Sequence, residues 1–300
     1  MAFQRILCPV DASTFSRRAL RHAFALAGGD DAEVVVMSVR PPSLPPSLWF
    51  EKESAVPVEG PYSRDQAEIS LRAFVESATG SPPRRVLVAD GQIVPEILRV
   101  ARELPADLIV IGTHGLGGFE RLLLGSITEK VLRKAECPVM TIPRLAPETA
   151  EPPAVVFKTI VCGMDRSAAS KHALEHALSL AQQAGGRLIV VHALEDVSEE
   201  EPSLAAHLNI PECWRAVEPE IRAAYEALVP AEAREWCQID VRIPFGKAYS
   251  TILDIARQDG ADLIVLGTAG WSSPFGATTQ HVLRAAECPV LVVPSVTRTS

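Results

Sequence analysis

The chain repeats itself. Phe3-Gln-Arg-Ile-Leu-Cys-Pro-Val-Asp11 returns as Phe157-Lys-Thr-Ile-Val-Cys-Gly-Met-Asp165, an offset of 154 residues, and the register holds through Ala19-Leu20/Ala173-Leu174 and Val34/Leu188. After a variable middle the offset is 155, where Ala106-Asp-Leu-Ile-Val-Ile-Gly-Thr-His-Gly115 faces Ala261-Asp-Leu-Ile-Val-Leu-Gly-Thr-Ala-Gly270 with eight of ten positions identical. It then drops to 151 for Val131-Leu-Arg-Lys-Ala-Glu-Cys-Pro-Val139 and Val282-Leu-Arg-Ala-Ala-Glu-Cys-Pro-Val290. Self-similarity at this period requires two copies of one fold, and 300 residues suffice for two ordinary cores. The expected domains are 1–146 and 154–300, joined by a linker at 147–153 in which Pro147, Pro152 and Pro153 interrupt any apolar periodicity.

Within each copy short apolar runs alternate with helical periodicity. Ile6 to Val10 reads as a strand covered on both faces, followed by a helix bearing Leu20, Phe24 and Ala27 and stopped at Gly28-Gly29. The second copy has Leu174, Leu178 and Ala181, stopped at Gly185-Gly186. Next come Val34 to Val39, an insert with a helix, Val86 to Ala89, a helix with Ile93, Ile97, Val100, Ala101 and Leu104 on one face, Leu108 to Ile111, a glycine loop, a helix with Val131, Leu132 and Ala135, and Pro138 to Ile142. Pro95 falls in the first turn of its helix, where a missing N–H costs nothing. Strands alternating with helices predict an α/β fold, each repeat an open parallel sheet of five strands with helices on both faces. Ligands of such sheets bind beyond the carboxyl ends of the strands, which places Asp11 and the glycine loop on one crevice.

The loop is intact once. Gly112-Thr-His-Gly115 runs nine residues to Gly125-Ser126, whereas Gly267-Thr-Ala-Gly270 runs five to Gly276-Ala277. Glycines admit an anion close to the main chain, and a helix opening at Gly125-Ser126 offers unpaired N–H groups and a favourable dipole. No Lys follows the last glycine, so this is not a Walker A loop. Ser126 could donate a hydroxyl or cap the helix, and Asp11 could serve a ligand or cap the helix after it. His114, Arg121 and Lys130 read as solvated side chains or as partners of a phosphate, and Leu122, Leu123 and Leu124 as apolar residues that pack the loop down or meet an interface.

These segments resemble the universal stress protein family, in particular its tandem members. The resemblance rests on Ile6-Leu-Cys-Pro-Val-Asp11, Ala106-Asp-Leu-Ile-Val-Ile-Gly112, the nucleotide motif G-x-x-G-x9-G-[ST] and Glu136-Cys-Pro-Val139. It implies strand order 3-2-1-4-5, pairing of the final strands into an intramolecular pseudo-dimer, a possible homodimer, and bound ATP with Mg2+ or Mn2+ held by its phosphates. Carried over by position, the site is Pro9, Val10, Asp11, Val39, Ile111, Gly112, Gly115, Gly125, Ser126 and Ile127. In the second copy Ser126 becomes Ala277, Pro9 becomes Gly163 and four loop residues are missing. The expected protein is an ATP-binding stress or regulatory protein whose N-terminal half holds the nucleotide. The alternatives are a slow ATPase or autophosphorylating enzyme with Ser126 as acceptor, and a nucleotide-independent dimeric scaffold.

No catalytic residues are assigned, because no carboxylate in the motif is evidently placed as a general base. A net charge of -8 with no basic run longer than a pair argues against nucleic acid, and no apolar stretch is long enough to span a bilayer. The early strand leaves no room for a signal peptide, so a cytoplasmic protein with reduced thiols is expected. The six cysteines lack a C-x-x-C spacing; Cys213 and Cys237 could join His207 on a zinc ion, but without the usual ligand spacing reduced structural thiols are the expectation.

Overall fold

The computed structural model describes residues 3–28, 32–41, 63–113, 124–143, 157–195, 210–268 and 276–295, with side chains from 216 onward in the segment that starts at 210. The expected linker at 147–153 lies outside them. Two compact units emerge, Ala2–Val155 with Pro289–Val292, and Val156–Cys288 with Val293–Ser300.

The first unit contains β1 (Arg5–Pro9), α1 (Thr14–Ala27), β2 (Glu33–Arg40), α2 (Arg64–Thr79), β3 (Arg85–Asp90), α3 (Ile93–Glu103), β4 (Leu108–Gly112), α4 (Ser126–Lys134) and β5 (Val139–Ile142). Its strands lie parallel in the order β3-β2-β1-β4-β5. Leu7, Cys8, Val36, Leu108, Ile109 and Val110 are sealed from solvent, as continuous apolar strands between two helix layers must be. Val290, Leu291 and Val292 pair antiparallel with Thr141, Met140 and Val139, which covers the edge of β5.

The second repeat follows the same plan with β6 (Thr159–Gly163), α5 (Ala168–Ala184), β7 (Arg187–Val191), α6 (Ile210–Glu226), α7 (Ala233–Trp236), β8 (Gln238–Arg242), α8 (Ala248–Gln258), β9 (Leu263–Thr268), α9 (Ala277–Ala285) and β10 (Val290–Pro294). Its order is β10-β9-β6-β7-β8, the same 3-2-1-4-5 arrangement counted within the repeat.

Local chemistry sets the element ends. Ser13 caps α1 by accepting from Ser16 N–H at 3.1 Å, and Ser167 caps α5 through Ser170 N–H at the same distance. Both helices stop at a left-handed glycine, Gly28 and Gly185. The Asp of the Ala-Asp-Leu-Ile-Val motif has a structural task. The Asp107 carboxylate accepts from Gln4 and Arg5 N–H at 2.7 and 3.0 Å, and Asp262 accepts from Thr159 N–H at 2.9 Å. Each thereby ties the start of the fourth strand of its repeat to the start of the first, at the end of the sheet opposite the crevice.

Candidate nucleotide site

The carboxyl ends of β1, β2 and β4 bring most of the candidate residues to one rim. Ile6 and Leu7 face Leu108 and Ile109, so the same register sets Val10 level with Gly112. Pro9 pairs with Met37, and Val10 N–H continues the ladder to the Met37 carbonyl at 2.8 Å, which puts Val39 level with Asp11. Val10 and Ile111 are buried, whereas Asp11 and Val39 are half-buried.

The turn after β1 is strained in both repeats. Ala12 has φ 60° and its counterpart Arg166 has φ 66°, the two non-glycine residues of positive φ among those described. Asp11 Oδ1 accepts from Ser13 N–H at 3.1 Å, and Asp165 Oδ1 from Ser167 N–H at 3.0 Å. The cap of α1 is therefore Ser13, and Asp11 braces the turn that presents it. Burial works to raise the pKa of Asp165, but hydrogen bonds from Ser167 and Ser170 outweigh it and hold the carboxyl below its ordinary range.

Gly112 ends β4 against the first turn of α1. A Cβ there would stand 3.1 Å from the Phe15 backbone, and at Gly267 it would stand 2.4 Å from the backbone of Ala169, the equivalent of Phe15. Close strand–helix packing demands glycine at both positions. The chain then returns to the strand end: Gly125 N–H donates to the Thr113 carbonyl at 2.8 Å, and Thr128 Oγ1 donates to the Gly112 carbonyl at 2.7 Å. These two bonds seat the N-terminus of α4 beside Gly112.

Gly125 is the N-cap of α4, with its carbonyl accepting from Glu129 N–H at 2.9 Å, and no side chain caps the helix. Ser126 is the first helical residue, exposed, and does not serve as a cap. The helix start thus presents main-chain donors, a positive dipole end and an exposed serine together, a combination suited to an anion. Leu124 is buried and packs the incoming chain down. Gly115, His114, Arg121, Leu122 and Leu123 lie outside the described residues, as do Gly270 and Trp271 of the other repeat.

The second copy differs less at the helix than the deletion suggests. Gly276 is the N-cap of α9 at φ -53° and ψ 143°, against -57° and 137° for Gly125. Val131 and Leu132 in one repeat and Val282 and Leu283 in the other are all buried. What changes is the exposed Ser126, replaced by Ala277. Gly163 stands where the first repeat has Pro9, and a Cβ there would meet the ends of the Leu266 and Ile252 side chains at 2.6 and 2.8 Å.

Sequence reasoning missed Ala12 and Thr128. An alanine carries no signal for a left-handed turn, but Thr128 matches Thr279, also buried, and that match was visible in the repeat.

Fold and site together define a tandem α/β protein with a strand–glycine loop–helix element at the carboxyl rim of each sheet. The chain belongs to the universal stress protein family, whose model matches residues 2–143 and 157–294. It is 27% identical to a universal stress protein of Mycobacterium tuberculosis H37Rv across 96% of this chain and 94% of that one. A universal stress protein of Methanocaldococcus jannaschii is 31% identical over 141 residues, 47% of this chain and 82% of the relative. Among solved structures, a universal stress protein from Archaeoglobus fulgidus shares the fold with a TM-score of 0.68 at 21% identity, covering 97% of this chain and 98% of that one. Among the described residues no helix is long and apolar enough to cross a membrane.

Proposed function

We propose that the N-terminal domain, residues 1–146, binds one ATP per chain through Pro9, Val10, Asp11, Val39, Ile111, Gly112, Gly115, Gly125, Ser126 and Ile127. The protein then acts as a nucleotide-responsive stress or regulatory protein, with the domain at 154–300 in a supporting role. The observation that carries this reading is the start of α4, where Gly125 leaves the helix without a side-chain cap, Ser126 is exposed, and the Thr128 bond to Gly112 seats the helix beside the end of β4. An ordinary capping serine would spend its oxygen on its own helix. The metal ion that accompanies ATP would be held by the phosphates, since no group of three or more ligating side chains gathers around one point among the described residues.

Calorimetric titration of nucleotide-free protein with ATP and Mg2+ should give one site per chain. Gly125→Trp should abolish binding by obstructing the main-chain donors. Ser126→Ala should weaken it about tenfold, the worth of one hydrogen bond to a charged group at roughly 1.4 kcal/mol. Two nucleotides per chain, or none at millimolar ATP, would overturn the proposal. Steady phosphate release abolished by Ser126→Ala would instead make the protein a slow ATPase, and thermal stability indifferent to ATP would make it a scaffold.

A further inference from the structure

Histidines four apart on a helix share one face. On α5 His172 and His176 meet edge to face, with ring centroids 4.9 Å apart and planes inclined at 66°. Both are half-buried. His172 Nδ1 lies 3.1 Å from the carbonyl oxygen of Pro294, at the end of β10. A carbonyl can only accept, so Nδ1 carries the hydrogen and Nε2 carries the lone pair. A ring N–H donated to a backbone carbonyl is the arrangement that orients metal-binding imidazoles and raises their basicity.

We propose that His172 and His176 form a two-histidine site for a divalent transition-metal ion of the zinc, nickel or copper type. The spacing of the ring centres, though not the edge-to-face tilt of the planes, matches one shared ion. With a metal–nitrogen bond of about 2.0–2.1 Å and nitrogen about 1.1 Å from the ring centre, two imidazoles bound side by side to one metal have centres about 4.5–5.2 Å apart. Imidazole suits these metals and not Mg2+ or Ca2+, which take oxygen ligands. No group of three or more His, Cys, Asp or Glu among the described residues could hold the ion, so water completes its coordination. The first repeat carries Arg18 and His22 at the equivalent positions; a guanidinium there repels the ion, and only one imidazole remains to bind it. The site therefore belongs to the second repeat alone.

Nucleotide-free full-length protein, titrated at neutral pH with Zn2+ and separately with Ni2+, should bind one ion of either kind at this site and melt at a higher temperature when loaded. His172→Ala and His176→Ala should each weaken binding at least tenfold, and His22→Ala should leave it unchanged. In the wild-type protein, Zn2+ should shift the ring nitrogen resonances of His172 and His176 together, a readout that does not depend on the variants folding. The proposal is overturned by the absence of saturable binding up to millimolar metal. It is equally overturned by unchanged affinity in either alanine variant, or by resonance shifts confined to other histidines, which would leave the pair an aromatic contact only.

Discussion

Ala12 and Arg166 hold a backbone conformation that costs an L-residue about 1–2 kcal/mol, and the same hydrogen bonds surround each of them. The serine immediately before each helix does double duty, accepting from the first turn and donating its own N–H to the aspartate two residues earlier. Ser13→Ala should therefore lose about 1 kcal/mol, within the 0.5–2 kcal/mol range of N-cap removals, and urea denaturation should detect it with an unchanged slope. His176 makes a second prediction at this scale. Burial and the neighbouring His172 push its pKa from the ordinary 6.5 down to about 4, so the folded metal-free protein prefers the neutral ring. The unfolded chain takes up the proton first as pH falls. Stability from this group is full above pH 6.5 and is lost between 6.5 and about 4. Melting temperatures recorded across that window should fall with acid, and His176→Gln should flatten the descent.

At the level of elements, the two glycines that end β4 and lie within β9 are equivalent in sequence but not in tolerance. The Cβ clash is 3.1 Å at Gly112 and 2.4 Å at Gly267, both against backbone that cannot swing aside. Gly267→Ala should cost more than Gly112→Ala, with the larger loss at or above the 1–3 kcal/mol of an overpacked core, measured by chemical denaturation. Strands, helices and their order were legible because apolar runs and helical spacing repeat at a nearly fixed offset. The duplicated Asp107 and Asp262 were legible only as motif letters, since nothing in an apolar run says that its leading carboxylate reaches back to the first strand. The helix after the shortened loop keeps a glycine N-cap and a buried Val-Leu pair, Val282 and Leu283, as in the first repeat. Ser126 was open between cap and donor; the carbonyl of Gly125 accepting from Glu129 assigns the cap to glycine. His172 and His176 stood four apart in plain view, but their meeting and the Pro294 carbonyl belong to tertiary structure.

For the molecule as a whole, duplication gives each repeat the same sheet order. The first unit includes residues 289–292, whose strand covers β5 along Val139, Met140 and Thr141. An uncovered strand edge is a template for further pairing. A fragment ending at residue 146 should accordingly associate with itself, and light scattering over a range of concentrations should report dimers where the full chain stays smaller per repeat. A fragment that remains monomeric at about 100 μM would show that the edge protects itself by other means. Membership in the universal stress protein family was readable from four short motifs, three of which sit where backbone geometry leaves few alternatives: a strand end, a glycine pressed against a helix, and a helix start.

The left-handed apex after the first strand has a practical use. Its dihedral angles are imposed by the bracing aspartate and serine, so the side chain at the apex is interchangeable: one repeat carries a methyl group and the other a guanidinium on the same bend. Position 12 is therefore a socket for a reporter. A cysteine placed there and coupled to an environment-sensitive dye would sit one residue from Asp11, and its emission would turn occupancy of the neighbouring rim into an optical signal.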